Sequence, residues 1–212
     1  MDPAEKVFEV TRTERSPQAW VEAVETHAST HMGRKVRFTS LGQTAKVLID
    51  GFNHLGLRGY REKYQNGEMD YPPSSIAQAA QGGPLDCMGR LATLVTIAEA
   101  KDIEKDIYKR VELAVDIDWR GLGTDKEVED AHIYAYVKNH GDKKYLGQPR
   151  DYTARETYKI SMLPHFYMSN LALGLGLEGK TSEAKQLARK ALNEAPQNSM
   201  YLRYAVNRIK SY

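Results

Sequence analysis

What most constrains this chain is a change in its hydrophobic period. Up to about residue 108, apolar residues recur at helical spacing. Then Val111-Glu-Leu113-Ala-Val115-Asp-Ile117-Asp alternates apolar with polar, as a strand with one buried face does. Ala131-His132-Ile133-Tyr134-Ala135-Tyr136-Val137 is a second strand, rich in β-branched and aromatic residues. Asn139-His-Gly141-Asp142 reads as a hairpin turn and Lys144-Tyr145-Leu146 as the return strand. Helical spacing resumes from Ser161. Helices, a short block of strands, then helices again specify an α+β fold. Its expected form is a helical N-terminal half whose cysteine-bearing helix packs on a small antiparallel sheet, followed by a C-terminal helical tail.

The helices carry their own punctuation. Residues 1 to 15 are polar and read as an arm or a short strand. Ser16-Pro17 sets an N-cap with proline at the first helical position, leading into Trp20, Val21 and Val24. Val47, Leu48, Ile49, Phe52 and Leu55 predict a helix over 41–57 that stops at Gly56 or Gly59. The pair Pro72-Pro73 forces an extended stretch, after which Ser74 or Ser75 caps a short helix, Ile76 to Ala80. A helix from 86 to about 100 and an amphipathic segment from Ile103 to Tyr108 precede the strands. Trp119 to Asp130 reads as a polar loop at the rim of a cleft. In the tail, Ser161 to Leu177, Ser182 to Asn193 and Tyr201 to Ile209 are helical, and Pro196 ends the second of them.

With 212 residues, the chain suffices for one good core or one domain with a small appendage. Its 30 basic and 28 acidic residues leave a net charge of +2, which gives no broad attraction to nucleic acid or membrane. Lys185, Arg189, Lys190, Arg203, Arg208 and Lys210 are interspersed with Glu183 and Glu194, the pattern of a solvated helix face. One cysteine permits no internal disulfide and no multi-cysteine zinc site. His27 and His31 share a helix face at i, i+4 spacing, but no acidic or cysteine partner is nearby, so they read as two surface histidines and no metal is expected. Met1-Asp-Pro-Ala-Glu-Lys lacks a signal-peptide pattern and no apolar run spans a bilayer, so a cytoplasmic, reducing compartment is expected.

The single cysteine lies in Gln81-Gly-Gly-Pro-Leu-Asp-Cys87-Met-Gly-Arg90, where a Gly-Pro turn gives way to the apolar run Leu91 to Ala98. A helix N-terminus exposes unpaired N–H groups and the positive end of the macrodipole, both of which favour a thiolate. A cysteine nucleophile also needs a base, a group that orients the base, and donors for the oxyanion. Of six histidines, His132 alone begins a convincing strand, which would hold its ring in place. Gln81, six residues before Cys87, offers an amide donor beside the Cys87 N–H. Gln148 and Asp151 are the first polar positions after the return strand, and so the candidates to orient His132.

The order of these residues, with a helix after Cys87 and strands bearing His132, resembles the transglutaminase-like superfamily of cysteine-centred α+β folds. Gly56-Leu-Arg-Gly-Tyr60, Asp70-Tyr71-Pro-Pro-Ser-Ser75 and Gly83-Pro84-Leu85 look like the bacterial members that carry a C-terminal tetratricopeptide tail. Leu171, Leu175, Ala184, Ala188, Ala191 and Pro196 sit at the spacing of one such repeat. The resemblance implies a cysteine-centred domain over 1–160 and a tetratricopeptide-like tail over 161–212. It departs at Gln148-Pro149, where the family usually has aspartate before proline, so either Gln148 or Asp151 takes the orienting role. What it implies is acyl transfer through a thioester on Cys87: hydrolysis of a peptide or glutamine-type amide, or transfer to an amine, with no cofactor. The alternative is an inactive binding or scaffold module that recognises a protein through its C-terminal helices.

Overall fold

The structure, a computed structural model, describes residues 16–56, 59, 62–63, 66–68, 73–103, 107–120, 127–139 and 142–209. It is mixed, with helices before and after one antiparallel four-stranded sheet. Two compact units divide the chain, Met1–Ile107 and Tyr108–Tyr212. In this division the strands group with the C-terminal helices.

The first unit is helical. Ser16 accepts a hydrogen bond from the Ala19 N–H and Gly33, at φ 61°, closes the other end of α1 (Pro17–Met32). This is the cap, N1 proline and C′ glycine that the local sequence specifies. Helix α2 spans Leu41–Asp50, with Ser40 as its cap. It is shorter than the 41–57 expected. The chain turns at Gly51, and Phe52 is buried beside the His27 ring, with centroids 5.4 Å apart. Asn53 and Leu55 bond instead to Leu85 across a single bridge. Ser75 caps α3 (Ile76–Ala80), and Asp86 caps α4 (Cys87–Ala100), which is buried on most of its surface. Glu25 of α1 draws three segments together. It accepts from Arg37 Nη1 at 2.7 Å, from the Phe38 N–H at 2.9 Å and from Lys101 Nζ at 2.6 Å. A short helix, α5 (Ile107–Arg110), leads to the strands. Of the expected segment 103–108, residues 104–106 lie outside the described residues, as does the arm 1–15.

The second unit holds β1 (Val111–Arg120), β2 (Glu127–Asn139), β3 (Asp142–Tyr145) and β4 (Ala154–Lys159), in the order β3-β2-β1-β4. Strands β1 and β2 run further than the alternation predicts. They absorb both ends of the expected 119–130 loop through an irregularity at Asp118/Trp119, and residues 121–126 lie outside the described residues. The pairing of Asn139 with Asp142 closes the expected hairpin, although His140 and Gly141 also lie outside. Strand β4 has no counterpart in the sequence reading. It pairs with β1 along its whole length.

Because β-strand side chains alternate, the sheet has two distinct faces. Leu113, Val115 and Ile117 share one with Ile133, Ala135 and Tyr158. On it the Tyr158 ring meets the edge of Phe166, which in turn meets Tyr201. These rings bring in a 3₁₀ turn (Ile160–Met162), α6 (Leu163–Leu177) and α8 (Met200–Ile209). Helix α7 (Thr181–Glu194) buries Ala184, Ala188 and Ala191. These small residues allow close approach to its neighbours, which fits a helical hairpin. Among the described residues no helix is long and apolar enough to cross a membrane.

Candidate functional site

Cys87 is the first residue of α4, and its position is fixed by what precedes it. Asp86 is extended and buried, and its Oδ1 accepts the Gly89 N–H at 2.5 Å while its Oδ2 accepts the Ser74 hydroxyl at 2.8 Å. The Asp86 N–H donates to the Pro73 carbonyl at 3.2 Å. A side chain at Gly89 would run into that same carbonyl and the Ser74 Cα, so only glycine permits the approach. Thus the helix start is clamped to the Pro73-Ser74 segment, and the half-buried Cys87 thiol projects from its first turn.

The charges around the thiol oppose one another. The helix N-terminus is positive and the Asp86 carboxylate negative. Arg90, one turn along α4, donates Nη2 to the Phe52 carbonyl at 2.8 Å. Burial pulls its pKa down, and the nearby Cys87, Asp86 and Asp50 partly restore it. The turn before Cys87 packs closely: Gly82, at φ 77°, lies against the His27 ring, and Gly83 against the Gln78 amide. Gln78 is therefore the buried amide of this segment, whereas the side chain of Gln81 is exposed at the C-terminal end of α3. His27 is part-buried rather than a surface residue, stacked at 6.3 Å on the exposed His31. Among the described residues no three His, Cys, Asp or Glu side chains come together as metal ligands would.

His132 lies on β2, in the second unit, directly opposite Asp116 of β1. Its ring stacks on Tyr134, two residues along on the same face, at 5.9 Å between centroids. The Tyr134 hydroxyl donates to Asp116 Oδ1 at 3.2 Å. Burial, then the Asp116 charge, raises the Tyr134 pKa well above its ordinary value. Tyr136 continues the row. Its hydroxyl donates to Glu112 at 2.5 Å, and its pKa is pushed up to about 12 by burial and by that carboxylate. Tyr145 meets both tyrosines edge-on.

The loop after β3 crosses this face. Leu146 N–H bonds to the Ala135 carbonyl, Gly147 lies on Tyr134 Cβ, the Arg150 N–H donates to Asp116 Oδ2 at 2.7 Å, and the Thr153 hydroxyl to the Ile117 carbonyl. Gln148 and Asp151 ride on this loop with exposed side chains. Asp116, the buried carboxylate of this face, carries no signal in the sequence, since it stands at an alternating polar position in an apolar strand.

Compared with known protein families, with characterised proteins and with solved structures, the chain matches none.

Proposed function

We propose that the protein is a cysteine-dependent acyl-transfer enzyme of transglutaminase-like character, with Cys87 as nucleophile and His132 as base. The observation that carries this reading is the placement of Cys87, half-buried at the first position of a capped fourteen-residue helix. Helix-terminal N–H groups there favour both a thiolate and the oxyanion of a tetrahedral adduct. The strand-held ring of His132 supports the second role.

The chemistry runs in two steps. Cys87 Sγ, its proton passed to His132, attacks the carbonyl carbon of an amide, and the oxyanion collapses to a thioester as the C–N bond breaks. The leaving amine takes the proton from His132. Water, or a second amine, then attacks the thioester while His132 removes its proton, and Cys87 departs as thiolate. Hydrolysis of a peptide or glutamine-type amide is the preferred outcome.

The test uses the full chain with p-nitrophenyl acetate and a glutaminyl peptide as acyl donors. A stoichiometric burst of p-nitrophenolate and an acyl adduct on Cys87 by mass spectrometry are expected. Cys87→Ala should abolish both, and His132→Ala should slow the burst at least about 100-fold. A folded protein that gives no Cys87 adduct overturns the enzyme and leaves the binding module.

A further inference from the structure

We infer that Asp116, rather than Gln148 or Asp151, is the positioning residue for His132. This rests on the role proposed for His132 above. The β1–β2 register sets Asp116 and His132 directly opposite one another. Facing residues of an antiparallel pair project to the same side, with Cβ atoms about 4.5–5.5 Å apart. Asp116 is only 1% exposed, so its carboxylate has left water and must be held by the protein.

Three segments hold it. Arg155, its partner on β4, donates Nε to Oδ1 at 2.5 Å, the Tyr134 hydroxyl donates to the same oxygen, and the Arg150 N–H takes Oδ2. The Arg155 guanidinium also lies over the Tyr134 ring, 5.7 Å from its centroid. Tyr134 is thereby fixed at its hydroxyl and across its face, and it is Tyr134 on which the His132 ring stacks. The pair is buried only at Asp116, since the Arg155 side chain is 39% exposed, and a pair so exposed to solvent contributes little net stability. Here it does something apolar side chains cannot. It freezes the surface on which His132 rests and sets a negative charge one strand away from an imidazole that becomes cationic when it accepts a proton. Gln148 and Asp151 have exposed side chains on the loop after β3.

The experiment has a kinetic and a structural arm, both on the full chain. In the first, the Cys87 acylation burst is followed for Asp116→Asn, Tyr134→Phe, Gln148→Ala and Asp151→Asn. Asp116→Asn should slow acylation at least about 10-fold with KM changed less than about threefold. Tyr134→Phe, which keeps the ring and loses one bond, should produce a smaller loss in the same direction. In the second arm, ¹H–¹³C spectra report the His132 ring carbons. Asp116→Asn and Tyr134→Phe should both move them, and Tyr134→Phe serves if Asp116→Asn does not fold.

His132 signals unmoved by either change would overturn the inference, as would loss of acylation on Gln148→Ala or Asp151→Asn with Asp116→Asn active. Ring signals that move without any change in the burst would also overturn it. Should wild-type protein form no Cys87 adduct, the proposed enzyme fails and the ring spectra alone decide whether Asp116 positions His132.

Discussion

Glu25 and Lys101, 76 residues apart in sequence, meet at 2.6 Å, with the Glu25 side chain only 3% exposed. This contact fastens the far end of the cysteine helix to α1, and the Phe38 N–H and Arg37 complete the carboxylate's bonding. Glu25→Gln keeps the shape and removes the charge, so it should cost about 2–3 kcal/mol in urea unfolding. Burial alone would raise the Glu25 pKa, but its bonds to Lys101, Phe38 and Arg37 outweigh that and lower it from 4.5. The contribution is therefore complete above the unfolded value and fades as pH falls through the lower folded one. Wild type and Glu25→Gln should converge in stability as pH drops from 5 towards 3.

His27 gives the opposite kind of titration. Burial, with the neighbouring His31 charge, lowers its pKa from 6.5, so the folded chain binds this proton less readily than the unfolded one. Stability from a neutral His27 is present above 6.5 and lost as pH falls below it. The unfolding midpoint of wild type should drop more steeply than that of His27→Gln between pH 7 and 5.

At Gly89 the constraint is steric. Adding one methyl sets it against the Pro73 carbonyl and Ser74 Cα, backbone that cannot swing aside. Gly89→Ala should lower stability by about 1–3 kcal/mol in thermal unfolding. It should also alter the iodoacetamide labelling rate of Cys87, because the clamp it breaks fixes the helix start. An unchanged melting temperature would show that the Pro73 segment yields freely.

In the sheet, removing Arg155 takes a charged partner from the buried Asp116 carboxylate and leaves it the Tyr134 hydroxyl and the Arg150 N–H. Arg155→Met should cost about 1–2 kcal/mol, whereas Asp116→Leu together with Arg155→Met should recover most of it. A double-mutant cycle by chemical denaturation measures the coupling, and simple additivity would show that Arg150 and Tyr134 suffice to hold Asp116.

Where a local chemical signal existed, the sequence was readable. Ser16-Pro17 and the pair Ser74-Ser75 each announce a helix start through short-range capping, with Ser75 the one that caps, whereas the capping role of Asp86 has no such signal. Periodicity misled at Phe52 and Leu55. Their spacing continues α2, but the chain turns at Gly51 and buries Phe52 by packing on His27. Strand β4 was hidden because Ala154-Arg-Glu-Thr-Tyr-Lys buries only Tyr158, and its identity comes from bonding to β1 rather than from its own pattern. In the candidate site, Cys87 and its helix were evident from one segment. Asp116 was not, since alternation marks it as solvent-facing and nothing in the chain alone gives the register that sets it opposite His132.

The Lys159 N–H, at the end of β4, donates to Gln197 Oε1 at 3.2 Å. Strand β4 is the outermost on its side of the sheet, and an open row of amides there would template pairing with another chain. At Lys159 the stretch between α7 and α8 occupies one amide of that edge. A chain cut before Pro196 would free that amide as well as lose a helix, and more of it should self-associate on gentle warming than of the full chain.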